Sequence, residues 1–142
     1  MPIFRVLITK PIYMSFLAKL FLEDKVVTIL DCSFSISKDC DDTGKPIAIA
    51  KSGQIELVIQ VGDTDDFFYG WTGTVDMVKD GRLVFYKNNA TAVKLQLHFV
   101  KAFCLNYTPQ FNSEHGFVAN ILISAQQLTY GGYTHTNKWG NV

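Results

Sequence analysis

Ile29-Leu-Asp-Cys-Ser-Phe-Ser-Ile-Ser37 alternates strictly: Leu30, Cys32, Phe34 and Ile36 share one face, and Asp31, Ser33, Ser35 and Ser37 the other. Successive side chains of a strand point to opposite sides of the pleat, so this pattern marks a strand half in a core and half in water. The same period governs most of the 142 residues. Upstream, residues 16–22 read as a first strand closed by the turn-like Glu23-Asp24-Lys25. Downstream, Ile55, Leu57, Ile59 and Val61 oppose Gln54, Glu56 and Gln60. Residues 82–87 form a further strand between turns at Lys79-Asp80-Gly81 and Asn88-Asn89. Residues 94–107 form another, with Leu95, Leu97 and Phe99 together on one face. Residues 111–116 read as a loop and residues 117–124 as a strand, while residues 130–139 are polar, aromatic and little periodic.

One helix is expected. Thr64 is placed to N-cap it, and Asp65 and Asp66 meet the positive end of its dipole. Phe67, Trp71, Val75 and Val78 recur at helical spacing and would face the core. Gly70 and Gly73 lie inside it, each costing about 1 kcal/mol against alanine, so this helix depends on packing. Six or seven strands with one helix specify a mostly β chain: a small antiparallel β-barrel or sandwich with one flanking α-helix.

The bulk properties fit a single domain. Hydrophobic residues make up 48% and aromatic ones 13%, enough for one core. Thirteen basic residues balance thirteen acidic ones, which argues against a protein built to hold nucleic acid or anionic lipid. No apolar run approaches the ~20 residues a membrane span needs. Residues 1–13 lack the basic head, long apolar middle and small-residue cleavage site of a signal peptide. They read as an N-terminal extension, an arm or an early start, preceding a domain of residues 14–142 that begins at Met14-Ser15-Phe16.

Catalytic chemistry finds little support. Asp39-x-Asp41-x-Thr43-Gly44 copies the first half of an EF-hand loop, but the twelfth position is Ala50 rather than a bidentate Glu, and the flanks read as strands. His98, His115 and His135 are far apart in sequence. Cys32, Cys40 and Cys104 show no CxxC spacing; Cys32 and Cys104 fall in alternating apolar runs, where a thiol acts as a small buried hydrophobe. Phosphate loops, nucleophile elbows and dinucleotide fingerprints are missing from the sequence. The reading is therefore a non-enzyme without catalytic residues, cofactor or metal. Residues 38–46, Lys-Asp-Cys-Asp-Asp-Thr-Gly-Lys-Pro, form a polar connection longer than a simple hairpin loop, with Gly44 and Pro46 as breakers.

From Met14 onward, an ordered set of segments resembles the tube protein of type VI secretion systems, the haemolysin-coregulated protein family, and particularly its Bacteroidetes branch. The set comprises Met14-Ser-Phe-Leu-Ala18, Leu30-Asp-Cys-Ser-Phe34, Asp42-Thr-Gly-Lys-Pro46, Ser52-Gly-Gln-Ile-Glu-Leu57, Lys79-Asp-Gly-Arg-Leu-Val-Phe85, Lys101-Ala-Phe103 and Ile121-Leu-Ile-Ser-Ala125. Lys45 and Ser52 stand where the family pattern has arginine and glycine. The resemblance implies a β-barrel assembling into hexameric rings that stack into a tube. That tube is expelled by a contracting sheath, carries small effectors in its lumen, and leaves the cytoplasm without a cleaved signal peptide. The partners implied are further copies of the chain, sheath and spike proteins, with no nucleic acid or membrane. The resemblance also places residues 38–51 at ring-to-ring contacts, with Lys38, Asp39, Asp41, Asp42, Thr43, Gly44, Lys45, Pro46 and Lys51 as the stacking residues. The rival readings are a tail-tube subunit of a phage-like particle and a stand-alone ligand-binding barrel. The many large inward aromatics count against the latter, since they would fill its cavity.

Overall fold

The computed structural model describes residues 17–47, 52–87 and 92–139. The N-terminal extension, the start of the first strand at Phe16, Lys51 and the Asn88-Asn89 turn lie outside the described residues. In chain order the elements are β1 (Leu17–Leu22), β2 (Lys25–Phe34), β3 (Gln54–Gln60), α1 (Asp65–Gly73), β4 (Lys79–Tyr86), β5 (Val93–Asn112), β6 (Gly116–Tyr130) and β7 (Tyr133–Thr136). The sheet runs β3-β2-β1-β4-β5-β6, and β6 returns to pair with β3. This closes a six-stranded antiparallel barrel. Beyond its β3 partner, β6 continues and pairs with β7.

Alternation builds the interior. Leu20 and Leu22 of β1, Ile55 and Ile59 of β3, Leu83 of β4, Leu97 of β5 and Ile123 of β6 all point inward and are almost wholly buried. Each such side chain contributes about 1.5 to 3 kcal/mol relative to exposure. The barrel is thus filled by its own side chains.

The phase of the alternation switches at bulges. In β2, Ile29 pairs with Ile59 but Asp31 pairs with Val58, so Leu30 is the extra residue. Ile29 is therefore buried, Leu30 is 42% exposed, and Cys32 and Phe34 turn back against the core. Leu30 does not share the buried face expected of it, because one inserted residue reverses every side chain beyond it, and Ile36 is exposed because it lies past the end of β2. β5 behaves likewise. Leu97 and Phe99 face inward, Lys101 takes a positive φ of 53°, and from there Ala102 and Cys104 face inward instead.

Lys79-Asp80-Gly81, expected as a turn, opens β4 instead. A Cβ on Gly81 would lie 2.6 Å from Phe99 Cζ and 2.7 Å from the Phe21 carbonyl oxygen. This glycine marks a close approach of β4 to β1 and β5, not a reversal of the chain. The expected loop at residues 111–116 is narrower, since β5 runs to Asn112 and β6 starts at Gly116. Part of the aperiodic tail forms β7, which stays exposed enough to need no apolar alternation.

The helix lies against β5. Phe68 and Trp71 are buried, and the Trp71 indole N–H donates to the Ala102 carbonyl at 3.1 Å. Phe67 is half-buried and meets Phe68 edge-on. The helix stops at Gly73, so Val75 and Val78, expected in the core, lie beyond it and are exposed. Thr64 does not cap through its side chain, because its hydroxyl donates to the Val61 carbonyl instead.

Candidate functional site

A barrel with a filled interior offers its surfaces rather than a cavity. The most distinctive one is the outward face of the sheet β2-β3-β6-β5. It carries Asp31, Ser33, Glu56, Val58, Asn106 and Asn120 around a shallow groove of about 370 Å³. Among the described residues both flanks of this sheet lack an outer neighbour. β1 ceases to pair with β2 at Thr28, so among the described residues 31–34 pair only with β3. β4 ceases to pair with β5 at Ala102, so among the described residues 103–112 pair only with β6. Among the described residues each flank therefore presents backbone N–H and C=O groups of the kind that template pairing with another strand. No single side chain encodes these edges. The cue was the unequal length of neighbouring strands, and the bulges in β5 blurred its alternation.

The polar connection after β2 is ordered by one carboxylate. Cys40 and Pro46 form a bridge, the Ile47 amide donates to the Asp39 carbonyl at 3.0 Å, and the Asp41 amide donates to the Lys45 carbonyl at 2.9 Å. Asp41 Oδ1 accepts from the Thr43 hydroxyl at 2.7 Å, the Thr43 amide at 2.9 Å and the Lys45 amide at 3.0 Å. Those bonds, led by the Thr43 hydroxyl, hold the Asp41 carboxyl below its ordinary value. Gly44 supplies the positive φ of 88° that the tip requires. The EF-hand likeness thus resolves into a small hairpin whose central acid serves its own backbone. Among the described residues no three His, Cys, Asp or Glu side chains gather as a metal site. Of the expected stacking residues, Asp41, Thr43, Gly44, Lys45 and Pro46 come together in this hairpin. Lys38, Asp39 and Asp42 are exposed around it, and Lys51 lies outside the described residues.

Two apolar features escaped the sequence reading. At the base of the hairpin an apolar groove of about 560 Å³ is lined by Phe34, Ile36, Leu128, Tyr130 and Tyr133, with Ser52 and His135 at its rim. At the opposite end of β6, Phe111 and Phe117 face each other across the β5–β6 turn, ring centroids 5.7 Å apart, and both are more than half exposed. By sequence, Phe111 belongs to the expected loop and Phe117 opens the expected strand, and nothing in that pattern joins the two rings.

The thiols of Cys32 and Cys104 are packing groups, while Cys40 is exposed. Burial, reinforced by the Asp31 charge, pushes Cys32 up to about 11, and burial raises Cys104, whose thiol donates to the Asn106 carbonyl. Tyr107 donates to Asp65, and burial together with that bond raises its phenol. These groups stay protonated at neutral pH, and the Tyr107–Asp65 bond ties α1 to β5.

Residues 14–140 match the family model described as Hemolysin coregulated protein Hcp (TssD). Among solved structures, Hcp1 from Flavobacterium johnsoniae superposes with a TM-score of 0.78 at 26% identity, over 85% of this chain and 99% of that one. Hcp1 from E. coli EAEC 042, a double mutant, gives 0.71 at 11% identity over 88% and 100%. Hcp1 from Salmonella typhimurium gives 0.65 at 13% identity over 87% and 93%. The last two speak for the fold alone. No curated protein matches the sequence significantly. With nearly the whole chain covered by the family model and the barrel, helix and strand order in place, the chain belongs to the hemolysin-coregulated protein (Hcp, TssD) family and is a structural tube subunit of a type VI secretion system.

Proposed function

We propose that the protein closes hexameric rings by strand-edge pairing between neighbours. The carrying observation is a pair of edges that have no outer partner among the described residues, residues 31–34 of β2 and residues 103–112 of β5, on opposite flanks of one sheet. Joining one copy's β5 edge to the next copy's β2 edge is a heterologous contact, and repetition of such a contact closes a ring when the rotation allows. The barrel core and α1 lie behind this sheet, so the bulk of each protomer fits outside the ring and the polar face with Asp31, Glu56 and Asn120 lines the lumen. A wet, uncommitted lining suits small protein effectors as cargo. Rings stacked through residues 38–51, including Lys38, Asp39 and Asp42, would form the tube that the sheath and spike of the same machine surround and lead. Assembly is cytoplasmic in this account, followed by export with the tube. Among the described residues no helix is long and apolar enough to cross a membrane.

Residues 1–13 serve as an appendage in this account, because the family match begins only at residue 14. Sedimentation and negative-stain images of the full chain and of residues 14–142 test both points. Rings from either protein, with equal melting temperatures, are expected. Monomers at every concentration from both would refute ring formation, and a large loss of stability on removing residues 1–13 would make them part of the sheet.

A further inference from the structure

A tube needs contacts along its axis as well as around it, and the two apolar features lie at opposite ends of β6. Phe117 and Tyr130 are separated by thirteen residues, about 40 Å of strand. The groove beside the residue 38–47 hairpin is therefore at one end of the protomer and the Phe111–Phe117 pair at the other. Neighbours at the same level of a ring could not bring these ends together. Copies in successive rings could.

We propose that the aromatic tip of the β5–β6 hairpin seats in the apolar groove of the copy in the next ring, between Phe34, Ile36, Tyr130 and Tyr133. This rests on the ring reading above and names the residues of the stacking contact. The groove, about 560 Å³, is large enough for two phenyl rings. Its exposed walls are apolar, with Tyr133 85% and Ile36 62% exposed, and the tip offers Phe111 at 67% and Phe117 at 55%. Aromatic side chains bury about 150 to 250 Å² each when fully covered, so tip and walls together remove roughly 600 Å². That is about half of what an isolated stable pair requires, ~1,200 Å². One such contact holds no dimer, but its repetition around a ring multiplies it. Single rings in dilute solution and stacking only of complete rings follow from that arithmetic.

The test uses the full chain with Cys40→Ala, Phe111→Cys and Tyr133→Cys. Oxidation of concentrated protein is expected to give a ladder of disulfide-linked species beyond the dimer, with stacked rings in negative-stain images, while either new cysteine alone gives at most dimers. In a second arm, Phe111→Ser with Phe117→Ser is expected to leave rings intact and lower the stacked fraction at least ~10-fold through lost avidity. Rings that stack without forming the ladder, or stacking unchanged by the serine pair, overturn this proposal and leave the ring reading standing. Protein that never forms rings overturns both. If removing residues 1–13 exposes Tyr133 to chemical modification, the chain's own arm fills the groove and the proposal is overturned.

Discussion

One methyl group added to two different glycines should have opposite effects. Gly70 lies inside α1 with nothing within 4 Å of a Cβ, whereas a Cβ on Gly81 would sit 2.6 Å from Phe99 Cζ and 2.7 Å from the Phe21 carbonyl oxygen. At Gly70 alanine removes the helix penalty and narrows the unfolded ensemble, a gain of about 0.5 to 1 kcal/mol. At Gly81 the Phe99 ring could tilt away, but the Phe21 carbonyl belongs to the β1 ladder and cannot move alone. Overpacking of this kind costs about 1 to 3 kcal/mol. For a chain this size those changes raise the melting temperature by about 2 to 4 °C for Gly70→Ala and lower it by about 3 to 10 °C for Gly81→Ala. Thermal and urea denaturation at one fixed oligomeric state would measure both. A Gly81→Ala protein as stable as the parent would refute the close approach of β4 to β1, and a destabilised Gly70→Ala protein would refute the open flank of the helix.

The hairpin after β2 should respond to acid through Asp41. Its carboxyl is held low by the Thr43 hydroxyl and neighbouring amides, so its support for the hairpin is complete above the ordinary carboxylate value near ~4. That support is lost as pH falls through the lower native value. NMR shifts of the Thr43 and Lys45 amides should follow this titration, and Asp41→Asn should abolish it; amides that ignore both would contradict the geometry. Alkylation at pH 8 should label Cys40, which is exposed, well before Cys32, pushed up to about 11, and Cys104, raised by burial. Equal rates at all three thiols would show that the β2 and β5 packing is wrong.

Much of the fold was legible because alternation is a local property. The inward residues of β3, Leu97 and Phe99 of β5, and the helix with Trp71 follow from spacing alone. The failures share one cause: a long-range contact decided what a local pattern could not. Leu30 was assigned inward because a bulge depends on its partner strand. Gly81 looked like a turn because the approach of Phe21 and Phe99 is invisible in sequence. Val75 and Val78 continued a helical period that the chain abandons at Gly73. For the functional surface, the polar run at residues 38–46 stood out by composition. The open edges and the aromatic tip did not, since they are defined by where neighbouring strands end. Asp41 illustrates the difference between composition and role, being an acid that resembled a ligand and serves as a clasp.

The central claim is that residues 31–34 and 103–112 pair between copies. Hydrogen–deuterium exchange on assembled rings and on dissociated protomers tests it without a mutation. In these two segments, alternate amides point away from β3 and β6. The account predicts that these amides exchange fast in the protomer and slowly in the ring, both segments gaining protection together. Intact rings whose two segments exchange as fast as in the free protomer would contradict it.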